Sequence, residues 1–239
     1  MDSLTRQALN AINRTFYDAQ AQDFSGTRNH PWPGWTRLLP HLTGSGPLRT
    51  LDVGCGNARF AQFLADGLER EVDYTGLDAS APLLEIARQR APDAGFLEHD
   101  LVLDAPSELP SGPFDLIALF GVTHHLPGAQ FRTELMRELA ARLAPAGLLV
   151  LTYWQFGSEE RFRNHRVSWE SQPIDPEQLE AGDQLVRWGT SPGSLRYCHD
   201  TSTEERTQWT TLLPLRKRAE FAADGRSGEL NHYLVFERI

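Results

Sequence analysis

Leu51-Asp52-Val53-Gly54-Cys55-Gly56-Asn57-Ala58-Arg59-Phe60 is the stretch on which the reading of the whole chain turns. A short apolar run, Leu48–Val53, ends on Gly54 and Gly56, and a helix-like segment, Arg59–Leu68, follows. Glycines suit such a turn because the backbone must reverse tightly and let a ligand come close. Asp52 stands at the end of the strand. A tight strand-to-helix turn with no ligand would look the same, so the flanking sequence has to decide.

Outward from that turn, strands and helices alternate. Val72–Leu77 reads as a second strand, Pro82–Gln89 as a helix and Gly95–Glu98 as a short third strand. Phe114–Phe120 (FDLIALF) is almost wholly apolar, as a central strand covered on both faces requires. The amphipathic Phe131–Leu143 and the fifth strand Leu148–Tyr153 complete the series. This alternation implies a parallel sheet with right-handed crossovers. Beyond it, a helix at Thr203–Leu213 leads to Leu215–Ala222 and Asn231–Arg238, which read as an antiparallel hairpin around Asp224-Gly225-Arg226-Ser227-Gly228.

Upstream, Leu4, Ala8, Leu9, Ile12 and Phe16 fall at helical spacing. Residues 1–43 read as helices on either side of a loop from Asp23 to Pro33, and Gly44–Pro47 breaks the chain before the core. Residues 154–203 show no clean period. A structureless loop of that length is improbable in a compact domain, so a lid or substrate-facing insertion is expected. The predicted organisation is one domain over 1–239: a helical cap (1–43), a ligand-binding core (48–153), the insertion (154–203) and a C-terminal helix and hairpin (204–239).

The chain has 239 residues and a formal net charge of −9. An acidic total weighs against a protein whose main task is gripping nucleic acid, since phosphate contacts drive that affinity. Only two cysteines occur, Cys55 and Cys198, which excludes a disulfide framework and suggests a reducing compartment. The first residues lack an apolar signal core, and no run approaches the ~18 apolar residues that cross a bilayer. A cytoplasmic location and no membrane partner are therefore expected.

Three acids stand at successive strand tips. Asp78 closes the second strand, where a carboxylate can accept both hydroxyls of a ribose. Asp100 follows the third, where it can accept from an exocyclic adenine amine. FDLIALFGVTHHL then brings Gly121, His124 and His125 to the carboxyl edge of the sheet, where ligands of open α/β sheets bind. A dinucleotide is disfavoured, because the third glycine of its fingerprint is replaced by Arg59. A nucleoside with a zwitterionic tail fits better: Asp52 faces its ammonium and backbone N–H groups take its carboxylate.

These residues resemble the class I S-adenosylmethionine-dependent methyltransferases over roughly Leu48–Tyr153 and the terminal hairpin. The resemblance implies a Rossmann-like α/β fold with a mostly parallel seven-stranded sheet ending in an antiparallel hairpin, here with N-terminal helices and an insertion after strand 5. It assigns Asp52, Gly54, Cys55, Gly56 and Asn57 to the glycine-rich motif, Asp78 and Ala79 to the ribose, and Asp100 and Leu101 to the adenine, with Phe120 and Tyr17 beside the cofactor. Ala58 and Ala146 stand where the family favours glycine. A narrower resemblance, carried by Phe16-Tyr17, Asp23-Phe24-Ser25-Gly26-Thr27-Arg28, Pro31-Trp32-Pro33, Val122-Thr123-His124-His125 and Arg196-Tyr197-Cys198-His199, is to the tRNA carboxymethyluridine methyltransferases. Those enzymes esterify a carboxymethyl group on the wobble uridine, and the resemblance implies tRNA and a small zinc-binding activator subunit as partners.

Methyl transfer from a sulfonium is an in-line displacement governed by positioning. A carboxylate acceptor needs a cation to orient it, and Arg28, Arg196 and His125 are the catalytic candidates. A hydroxyl or amine acceptor would instead call on His124 or His125 as general base. The alternative for Arg28 is that it only braces its loop against carbonyls, and His124 reads more readily as structural. Tyr17 and Trp32 are placed to close over the cofactor. No histidine–cysteine spacing suggests a metal. For RNA contact the clusters are Arg161, Arg163, Arg166 and Arg216, Lys217, Arg218, against the alternative of solvated faces paired with Glu159, Glu160 and Glu220. The competing functions are a small-molecule O- or N-methyltransferase and a non-catalytic cofactor-binding module.

Overall fold

Every second residue of the central strands faces one of two apolar cores, and that alternation organises the molecule. In the computed structural model, which describes residues 1–155, 164–189 and 194–239, β1 (Leu48–Val53), β2 (Val72–Asp78), β3 (Gly95–Glu98), β4 (Phe114–Leu119), β5 (Leu143–Tyr153), β9 (Leu215–Ala223) and β10 (Asn231–Arg238) form one sheet in the order β3-β2-β1-β4-β5-β10-β9. β1 to β5 run parallel, and β10 is antiparallel to both β5 and β9. Leu116 and Ala118 of β4, Val150 of β5 and Val235 of β10 face the core built around Trp35, Phe60 and Leu64. Ile117, Leu119, Leu149, Leu151 and Phe236 face the other, with Met136, Leu139 and Trp209. Burial on both sides is why FDLIALF carries no polar face.

The crossovers are α3 (Arg59–Gly67), α4 (Ala81–Arg90) and α5 (Ala129–Ala141), and α6 (Thr203–Leu212) leads into the hairpin. The hairpin lies where the sequence reading put it, with β9 extended by one residue and a bulge at Val235/Phe236. β5 starts five residues earlier than expected, at Leu143, and passes through Pro145-Ala146-Gly147 with Ala146 at φ +59°.

At the N-terminus the expectation needs correction. α1 (Ser3–Gly26) runs through the start of the supposed loop. Asp2 caps it by accepting from Thr5 N at 2.7 Å, and Thr5, Leu9, Asn13 and Phe16 form its buried stripe. Phe24 and Ser25 continue the helix because Ser25 is buried against the glycine turn. The second cap helix shrinks to one turn, α2 (Pro33–Thr36), opened by proline at its first position.

Within the insertion, β6 (Arg166–Val167), β7 (Asp183–Arg187) and β8 (Leu195–His199) form a separate antiparallel sheet. Strands of two and five residues are too short to show a period, which is why none was legible. β8 packs against α1, and Tyr197 N donates to Asn13 Oδ1 at 2.9 Å.

A buried ionic network locks the insertion to the core. Arg132 of α5, fully buried, contacts Glu205 at 2.5 Å, Glu180 at 2.8 Å and the Leu126 carbonyl at 2.6 Å. His199 lies between Asp183 (2.8 Å) and Glu205 (3.0 Å). Burial opposes its charge, but these carboxylates prevail and raise its pKa. Arg132→Met leaves buried carboxylates uncompensated, at a cost of about 3–5 kcal/mol. A melting temperature lower by roughly 10 °C in thermal denaturation is expected, and an unchanged midpoint would refute the locking role.

Candidate active site

The turn after β1 is shaped by three left-handed residues, Gly54 (φ +75°), Gly56 (φ +54°) and Ala58 (φ +56°). A Cβ on Gly54 would stand 2.3 Å from Val122 Cγ2, whereas one on Gly56 would meet nothing within 4 Å. Gly54 is thus required by packing, and Gly56 leaves open space above the backbone. Gly54 N and Cys55 N both donate to the Leu77 carbonyl, at 2.7 and 2.8 Å, fixing the turn to β2. Asn57 is buried and donates to Ser25 Oγ at 2.8 Å, which ties the turn to the end of α1.

Asp52, Gly54, Cys55, Gly56, Asn57, Asp78, Ala79, Asp100, Leu101, Phe120 and Tyr17 all line one cavity of about 200 Å³, together with His125, Arg28 and Arg196. Asp52 accepts from Tyr74 Oη at 2.5 Å, and burial pushes its pKa up to about 7. A buried acid held so close to neutrality is suited to a cationic ligand group that restores its charge. Asp78 accepts from Gly56 N and Ser80 N at 2.8 and 2.9 Å, keeping lone pairs for a diol. Asp100 is more heavily engaged. It accepts from Asn10 Nδ2 at 2.9 Å and Val102 N at 2.9 Å, with Arg14 3.4 Å away.

The histidines differ from expectation in charge. His125 Nδ1 lies 2.9 Å from the Tyr197 carbonyl, which can only accept, so the proton sits on Nδ1 and Nε2 accepts from Tyr17 Oη at 2.9 Å. Burial, reinforced by Arg196, pushes its pKa down to about 3. His125 is therefore neutral with both nitrogens engaged, and it positions Tyr17 instead of presenting a cation or a free base. His124 is buried, stacked on Trp154 at 3.7 Å between centroids, and also held neutral by burial.

The arginines keep the charge. Arg196 reaches the cavity from β8, only 5% exposed, over the Phe16 ring at 5.1 Å, and its Nε has no hydrogen-bond partner among the described residues. Arg28 lies over the Phe24 ring at 3.7 Å, and its Nη1 reaches Thr27 Oγ1 at 2.9 Å and the Phe24 carbonyl at 3.4 Å. It thus braces its loop, as the alternative reading had it, and faces the cavity as well. Burial brings its pKa down to about 10. Among the described residues neither guanidinium has a carboxylate within ion-pair distance.

Asn10, Asn13, Arg14, Arg59 and Trp154 also line the cavity and were not read as site residues. Asn13 left a signal: a polar residue in the apolar stripe between Leu9 and Phe16. The Arg216–Arg218 cluster is only partly compensated on β9, where Arg216 and Arg218 share Glu237 and Lys217 pairs with Glu220. Arg161 and Arg163 lie outside the described residues. Glu180, Asp183 and His199 approach closely enough to hold an ion, but their ligand atoms face Arg132, Tyr197 and one another.

A parallel sheet that closes with an antiparallel strand, a glycine turn after β1 and acids at the tips of β1, β2 and β3 define the class I methyltransferase architecture. Residues 51–149 match the family model described as a methyltransferase domain. Within those residues the chain carries a methyltransferase domain, and the open space above Gly56 beside Asp52 and Asp78 fits S-adenosylmethionine. The chain is 32% identical over 154 residues to the tRNA (carboxymethyluridine(34)-5-O)-methyltransferase ALKBH8 of Mus musculus, covering 64% of this chain but 21% of that protein. The Saccharomyces cerevisiae tRNA (carboxymethyluridine(34)-5-O)-methyltransferase is 28% identical over 178 residues, 74% of this chain and 60% of that one. The chain therefore spans about a fifth of the mouse relative and three fifths of the yeast one. Among solved structures, the N-methyltransferase NodS of Bradyrhizobium japonicum in complex with S-adenosyl-L-homocysteine has the same fold, with a TM-score of 0.60 at 16% identity over 98% of both chains.

Proposed function

We propose that this protein is an S-adenosylmethionine-dependent methyltransferase that esterifies a carboxylate, with the carboxymethyl group of a tRNA wobble uridine as the favoured acceptor. The observation that carries the reading is the pair Arg28 and Arg196 on a cavity shared with a neutral His125. A carboxylate is already anionic at neutral pH and asks for orientation, not for a base. When bound, the cofactor supplies a methyl group on a sulfonium, whose S–C bond breaks as the O–C bond to the acceptor forms. Asp52 and Asp78 hold the cofactor's ammonium and ribose. Arg28 and Arg196 aim the acceptor, and Tyr17, fixed by His125, walls the space between them. The tRNA acceptor draws support from the printed activities of the mouse and yeast relatives. We extend the same reading to a cytoplasmic location and a small activator subunit.

The test is transfer of label from methyl-tritiated S-adenosylmethionine to bulk tRNA and, separately, to a small-molecule extract of the source cells. Base-labile label in tRNA is the expected result. Base-stable label would rule out the ester. Label in the extract alone would transfer the reading to a small-molecule acceptor, which the net charge of −9 favours.

A further inference from the structure

Three guanidinium groups from separate elements meet at one short loop. Arg28 opens the loop after α1. Arg59, at the start of α3, donates from Nη1 to the His30 carbonyl at 2.9 Å. Arg90, at the end of α4, donates from Nη2 to Asn29 Oδ1 at 3.5 Å. Arg28 and Arg59 line the cavity, while Arg90 stands on its outer side and Asn29 and His30 are exposed.

Among the described residues none of the three has an acidic group within ion-pair distance. The acids whose field reaches Arg59 are Asp224 and Asp52. Asp224 is occupied by Gly34 N, Asn231 and Tyr233, and Asp52 by Tyr74. Arg90 Nη1 is buried and has no hydrogen-bond partner among the described residues. Burial first, then Arg28 and Arg90, bring the Arg59 pKa down to about 10, the mark of like charges held together. In a chain where acids outnumber bases by nine, no described carboxylate pairs with any of the three.

Converging forks of N–H donors with unspent charge suit an anion that has several oxygens. Guanidinium geometry matches phosphate in particular, because two parallel N–H groups meet two oxygens. We propose that Arg28, Arg59 and Arg90 form a phosphate-binding collar at the mouth of the cavity, holding a phosphate carried by the methyl acceptor. This rests on the proposed function in taking the cavity as the acceptor site. The phosphate is either a diester of a polynucleotide or a monoester on a small molecule.

Arg90 tests the collar, because unlike Arg28 and Arg59 it does not line the cavity. Full-length protein, Arg90→Gln and Arg90→Lys are compared for binding of bulk tRNA by anisotropy and of uridine 5′-monophosphate by calorimetry. Arg90→Gln is expected to weaken the phosphate ligand about fivefold and, for tRNA, to reduce the slope of log K against log salt by about 0.7–0.9, one contact's worth. Arg90→Lys recovers most of the loss, while cofactor affinity and melting temperature stay unchanged. An Arg90-dependent loss with tRNA alone identifies the diester, and with the monophosphate alone the monoester. Equal affinities of Arg90→Gln and the parent for both probes overturn the collar. Failure of the ester assay beside intact Arg90-dependent binding would overturn only the carboxylate reading.

Discussion

Arg196→Met lowers methyl transfer by about 10²-fold while the protein melts at the same temperature or higher. The two effects separate because Arg196 is a buried cation that has no carboxylate partner among the described residues. Holding such a charge out of water is costly, and a well-packed apolar residue of similar size removes that cost. The acceptor, in contrast, loses its charged partner in a cavity where Arg196 is itself buried, a change worth about 2–5 kcal/mol. The loss should fall on the acceptor's kcat/KM and spare the cofactor's dissociation constant. A residue present only for stability would lose activity and melting temperature together, and that parallel fall would end the assignment.

Asp52→Asn gives a second pair of opposed effects. Burial raises the Asp52 pKa to about 7 from an ordinary 3.8. For an acid raised in this way, the stabilisation is complete below pH 4 and is lost as pH rises through 7. Forcing the buried carboxylate to ionise above that costs on the order of 4 kcal/mol. An amide keeps an oxygen for Tyr74 and does not titrate. The variant should therefore melt higher than the parent at pH 8 without cofactor, and no higher at pH 4. Cofactor binding moves the other way, because an ammonium needs the ionised carboxylate. In the parent, affinity for S-adenosylmethionine rises up to about tenfold per pH unit between 5.5 and 7, and in Asp52→Asn it is weak and flat. Calorimetry at three pH values decides it: a flat parent profile would remove Asp52 from contact with the ammonium.

What could be read from the sequence was what is local. Asp52, Gly54, Gly56, Asp78 and Asp100 each lie within a few residues of a strand end, and a strand end announces itself by apolar pattern and glycine. The narrow apolar run of β4 revealed its two-sided burial in the same way. Ala58 and Ala146, noted as departures where glycine is usual, both take left-handed φ, which is the physical reason glycine suits those places. Charge states were not legible. His125 is neutral because burial, reinforced by Arg196 about seventy residues further along the chain, disfavours its charge. The insertion hid its sheet because β6, β7 and β8 are too short to repeat, and Arg196 was reached only through a family resemblance. Asn13 is spaced like a core residue, and only its polarity betrays the bond to β8.

That bond has a consequence for how the protein comes into being. Asn13 meets Tyr197 across a separation of 184 residues, whereas the turn, β2 and Asp78 lie within 26 residues of Asp52. Near contacts form before distant ones repay the entropy of closing their loops. On the ribosome, where chains emerge N-terminal end first, the acids at the tips of β1, β2 and β3 are all made before Arg196. The acceptor half needs β8 to find the first helix to be made across nearly the whole chain, so the two halves of the cavity rest on contacts of very different reach.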